Sequence, residues 1–162
     1  MKRILFALLL SIAFAAQANA QNVQATETWY GLYTVEGVNE VNDPNAPGGK
    51  RRIGGKIMEP KQNSGRVPHT PGSYFGFGYV LSSTGSATTA QIRHVILIPP
   101  PGLTDNSGKQ HTEFSNTLNL RVGGDLFIGL SMGEATPSGI WTMQVWHEGR
   151  VLIERKFDLY RP

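Results

Sequence analysis

From Tyr74 to Leu81 every second residue is large and apolar: Phe75, Phe77, Tyr79 and Leu81 share one phase, and Gly76 and Gly78 hold the other. Only an extended strand turns a two-residue period into one apolar face. The same alternation runs through most of the chain. In Gln91 to Ile98, Ile92, Ile96 and Ile98 fall together, with Val95 and Leu97 opposite. Thr117 to Val122 aligns Leu118, Leu120 and Val122, and Asp125 to Met132 aligns Leu126, Ile128, Leu130 and Met132. No window carries apolar residues at three-and-four spacing for more than a turn, so helices contribute little.

Further strands are expected at Trp29–Val35, Arg51–Glu59, Ile140–His147 and Arg150–Tyr160. The last two flank Glu148-Gly149, where glycine supplies the positive φ of a tight hairpin. Seven or eight short strands bury their apolar faces by packing one sheet on another, so the expected fold is an antiparallel β-sandwich, with an open barrel as the weaker alternative. Glu36–Lys50, Pro60–Gly72 and Pro99–Gln110 read as long loops.

The amino terminus specifies a destination. Lys2 and Arg3 precede an apolar run from Ile4 to Ala16, and Ala18-Asn19-Ala20 offers a small-x-small cleavage site. This is the pattern of a secretory signal peptide, too short to span a bilayer. The expected domains are a signal peptide at 1–20 and a β-sandwich at 21–162, in the periplasm or secreted. The remaining 142 residues hold 13 basic and 12 acidic side chains, a balance that argues against nucleic acid as a partner. With no cysteine in the chain, the exported domain must rely on packing and hydrogen bonds alone.

Motifs for chemistry are weak. Gly129-Leu130-Ser131-Met132-Gly133 matches G-x-S-x-G, the nucleophile elbow, which needs a helix directly after the serine. Glu134 to Gly139, with Pro137, cannot sustain one, so Ser131 reads as a strand end, and a small secreted hydrolase using Ser131 is the alternative function. The run Gly49 to Lys56 lacks the residues of a phosphate loop. Lys50, Arg51, Arg52 and Lys56 remain as a candidate basic surface for an anionic lipid or glycan, or as charges that protect a sheet edge. His69, His94, His111 and His147 form no metal-binding pair, and Asp105-Asn106-Ser107-Gly108 reads as a turn, so no metal or cofactor is expected.

The tryptophans are more informative. Trp141, Met143 and Val145 share a face and read as core. Trp146, five residues from Trp141, points the other way beside Gln144 and Thr142, a candidate contact residue for a partner or a sugar ring, or a residue covered by a loop.

The run Gly139 to Leu152, ending in Phe157-Asp158-Leu159, resembles the last hairpin of bacterial immunoglobulin-like domains. With Trp29-Tyr30-Gly31-Leu32-Tyr33, Gly48-Gly49-Lys50-Arg51-Arg52, Phe75-Gly76-Phe77-Gly78-Tyr79 and Pro100-Pro101-Gly102-Leu103-Thr104, it resembles the exported bacterial family of domain of unknown function 3859, over roughly residues 28–160. The resemblance implies a β-sandwich and brings no activity or site residue with it. A two-residue turn at Glu148-Gly149 sets Val145 opposite Leu152. Leu152 and Phe157, five apart, then both point inward only if a bulge separates them. The expected function is non-catalytic: an envelope module that binds an unidentified envelope protein or glycan, without a membrane span.

Overall fold

A computed structural model of the chain describes residues 22–42, 50–58, 63–105 and 107–162, and the expected signal peptide lies outside them. Among the described residues there is no helix, and eight strands form two facing sheets. The smaller sheet has β1 (Val23–Tyr33), β5 (Tyr74–Ser83) and β10 (Asp125–Ser131), with β5 central. The larger runs in the order β4 (Arg66–Pro68), β12 (Arg150–Tyr160), β11 (Gly139–His147), β6 (Thr89–Leu97) and β9 (Glu113–Arg121). All pairs within the two sheets are antiparallel except β4 with β12.

The alternation does what the sequence predicts. Phe75, Phe77, Tyr79 and Leu81 on β5 are fully buried between the sheets. Facing them are Ile92 on β6, Trp141, Met143 and Val145 on β11, and Phe157 and Leu159 on β12. Phe75 sets its ring edge-on to both Trp141 and Phe157, with centroids 5.5 Å away in each case. Those two are directly opposite each other in the register, so one aromatic from the small sheet wedges a cross-strand pair of the large one. The Trp141 indole N–H donates to the Pro137 carbonyl at 2.9 Å, so its burial leaves no polar atom unpaired.

Two bulges set the faces. In β1, Thr28 is an extra residue between Glu27, opposite Tyr79, and Trp29, opposite Gly78. Val23 and Ala25 before it point inward, and so do Tyr30 and Leu32 after it, whereas Trp29, Gly31 and Tyr33 turn outward. In β12 the extra residue is Leu152: Val145 lies opposite Ile153, and Trp146 opposite Val151. This corrects the expected register. The bulge sits at Leu152 itself rather than between it and Phe157, and both Leu152 and Ile153 pack against the core. The turn at Glu148-Gly149 is as expected, with φ of 48° and 75° at its two residues, the type I′ signature.

All three of the expected loops contain strands. Val35–Asn42 is β2, paired in antiparallel register with β3 (Lys50–Ile57) as a ribbon outside the two sheets. Val35, Val38 and Val41, spaced among glycine, asparagine and glutamate, leave too weak an alternation to be read as a strand. Within 99–110, β7 (Leu103–Thr104) pairs with β8 (Gln110–His111) around the turn, and within 60–72, β4 adds to β12.

Candidate functional site and family

The outer face of the large sheet carries the feature that core packing does not use. Ile140 is 53 % exposed, and Leu97 and Val151 are each 37 % exposed. All three lie on the side of their strands away from the core. Leu97 pairs with Thr142, so Ile140 is its diagonal neighbour, and Val151 pairs directly with Trp146. From Ile140 to Trp146 is six residues along β11, a span of about 20 Å at strand rise.

Between the two apolar ends runs a polar strip held in one arrangement. The Trp146 indole N–H donates to Gln144 Oε1 at 2.9 Å, and the Gln144 amide donates in turn to Glu154 Oε2 at 2.7 Å. On the far side Arg93 reaches Glu113 at 3.1 Å and Ser115 Oγ at 3.4 Å. Val95 is buried between these rows although its side chain points outward. Trp146 therefore turns away from Trp141, as its spacing predicts, but is half-buried with its donor already engaged. It braces the face more than it offers an open ring for stacking.

The basic candidates fall elsewhere. Lys50, Arg51, Arg52 and Lys56 lie on β3 of the ribbon, in a different sheet from Trp146. Lys56 is exposed and stands opposite Glu36 in the register, and Arg52 stands opposite Glu40. The partner strand thus sets acidic residues against basic ones, which reading Glu36–Lys50 as a loop concealed. The side chains of Lys50, Arg51 and Arg52 lie outside the described residues.

Ser131 ends β10 opposite Tyr74. The chain then enters a turn in which Gly133 N–H donates to Thr136 Oγ1 at 2.8 Å, and Thr136 N–H donates back to the Gly133 carbonyl at 3.1 Å. Nearby His69 spends its Nε2 on that same carbonyl, at 3.1 Å. Among the described residues no hydrogen bond joins Ser131 to a histidine or carboxylate, the pairing that an activated serine requires.

The other histidines are absorbed locally. His111 Nε2 lies 2.9 Å from Asp105 Oδ2. Asp105 Oδ1 accepts from Ser107 N–H, Ser107 Oγ and Lys109 N–H at 2.8, 2.6 and 3.0 Å. With the His111 and Ser107 bonds as the leading causes, the Asp105 carboxyl is held well below the usual carboxylate range. Both its oxygens are consumed by the turn, as a turn rather than a calcium loop requires. His147 lines a shallow hollow of about 290 Å³ with Val23, Thr89, Gln91 and Glu148, and its Nδ1–H donates to the Gln91 carbonyl at 2.9 Å.

His94 is a feature that sequence reading passed over. It occupies an inward position on β6, buried, with Nε2 2.7 Å from the hydroxyl of buried Tyr79. Burial pushes its pKa down to about 4 and pushes the Tyr79 phenol up. The signal was available, since His94 is in phase with Ile92 and Ile96.

The open arrangement of the sheets is that of an immunoglobulin-like sandwich, and comparison agrees. A crystal structure of an immunoglobulin-like protein from Pseudomonas aeruginosa superposes with a TM-score of 0.60 at 20 % identity, covering 87 % of this chain and 99 % of that one. No curated protein matches this chain. The family model described as domain of unknown function (DUF3859) matches residues 21–159, all but the first twenty and last three residues, and the chain therefore belongs to the DUF3859 family.

Proposed function

We propose that this protein is an exported, non-catalytic binding module of the cell envelope, and that it holds a protein partner on the outer face of its large sheet. The observation that carries this reading is the placement of Ile140, Leu97 and Val151. They are three of the four exposed large hydrophobic side chains among the described residues, and they share one face. Exposed aliphatic groups at the two ends of one face, with amides and ion pairs already engaged between them, leave apolar area that a partner protein would bury. A sugar-binding platform instead needs an aromatic ring free to stack, and Trp146 is half-buried with its N–H occupied. Export is supported by the apolar leader and by a family match that starts at residue 21, directly after the Ala18-Asn19-Ala20 site.

The test is capture from envelope extracts with the exported protein and its Ile140→Lys and Leu97→Lys variants. One discrete protein should be retained by the parent and lost from both variants while they stay folded. Equal retention by all three rejects the face. Intact mass checks export, with an N-terminus at Gln21 expected and retention of residues 1–20 contradicting it.

A further inference from the structure

The two flanks where the sheets meet are finished differently. On one, β1 is stitched to β12. The Arg155 guanidinium bonds both carboxylate oxygens of Glu27, with its Nε at 2.9 Å from Oε2, and lies 4.1 Å over the Tyr30 ring. Arg150 donates to the Val23 carbonyl at 3.0 Å, and Asn63 accepts from the Tyr30 N–H at 3.3 Å. On the other flank β9 and β10 are edge strands, each with one partner among the described residues.

The edge of β10 lacks the usual defences of a free strand. Its residues Asp125-Leu126-Phe127-Ile128-Gly129-Leu130-Ser131 include no lysine, arginine or proline, and the sole charge is at one end. Phe127 stands 48 % exposed on it, and Leu126 and Leu130 are only half-buried at the mouth of the core. An apolar edge of this kind is a template for another strand.

We propose that the strand it takes is β10 of a second copy, paired antiparallel about a two-fold axis at Ile128. The edge is self-complementary in that register. Phe127 meets Gly129 of the second copy, Leu126 meets Leu130, and Asp125 meets Ser131, so no like charges oppose and each bulky ring faces a glycine. Two three-stranded sheets then merge into one of six strands, a closed isologous dimer that removes the exposed edge.

Sedimentation of the protein purified from exporting cells, from micromolar to tenth-millimolar concentration, tests this. The parent should dimerise, Phe127→Lys should weaken self-association at least about tenfold, and Ile140→Lys on the far face should leave it unchanged. Amide exchange across 125–131 should slow as concentration rises in the parent, and not in Phe127→Lys. A parent that stays monomeric throughout overturns the proposal. So does a folded Phe127→Lys variant that dimerises like the parent.

Discussion

The two sheets treat their outer faces in opposite ways. On the small sheet the chain covers its own surface over β1 and β5, leaving Phe127 exposed at the β10 edge. Trp29 lies over Gly78 so closely that a Cβ there would fall 2.1 Å from the indole nitrogen. Tyr33 reaches its hydroxyl over Gly129, again 2.1 Å from where a Cβ would be, and is itself fully buried. Trp29 packs edge-on against Tyr33, which stacks on Tyr74, with centroids 5.2 and 5.6 Å apart. On the large sheet Ile140, Leu97 and Val151 stand up without such cover among the described residues. Glycine opposite an aromatic thus marks a face that is finished internally. Aliphatic residues set among ion pairs mark the one on which the proposed partner would sit.

The largest expected effect calibrates both faces from the layer they share. Trp141→Ala removes a fully buried ring held by Phe75 and by the Pro137 carbonyl, and should cost about 3–5 kcal/mol. Chemical denaturation measures it, and a midpoint near the parent's would remove Trp141 from the core.

The same layer should respond to acid through His94. The unfolded chain protonates this residue near its ordinary 6.5, whereas the folded state resists until about 4. Stability should therefore be flat in this respect above 6.5 and fall as pH drops toward 4, by a total on the order of 3 kcal/mol. His94→Gln should flatten that slope, and an unchanged slope would show that other groups carry it.

Gly78→Ala breaks the covered face directly. Trp29 must lift from its hollow, and overpacking of this kind costs about 1–3 kcal/mol. Tryptophan fluorescence should shift as the indole moves, and a silent substitution would mean that the hollow is not what seats Trp29. Trp146→Ala on the open face should be milder, about 1 kcal/mol or less, since it loses a half-buried ring and one bond to Gln144. Loss comparable to Trp141→Ala would erase the distinction between the two faces of β11.

The core was legible because alternation is long and strong in β5, β6, β10 and β11. The faces of Trp141 and Trp146 followed from their five-residue spacing alone. Register was harder. The bulge at Leu152 depends on how Leu152 and Ile153 share the core, a tertiary choice that no local pattern encodes. The aromatic cover on Gly78 and Gly129 depends on β1 lying beside β5, so the glycines could be placed on the outer face but their occupants could not be named. The contact face was legible only in part: Trp146 was singled out, while Ile140, Leu97 and Val151 became conspicuous once the strands lay side by side.

The open face is tested most directly by a photo-crosslinking amino acid placed at Ile140 in the exporting cell, with Ser82, exposed on the outer side of β5, as the reference position. The account predicts one discrete adduct with another envelope protein from position 140 and none from position 82. No adduct from position 140, or the same adducts from both positions, would contradict it.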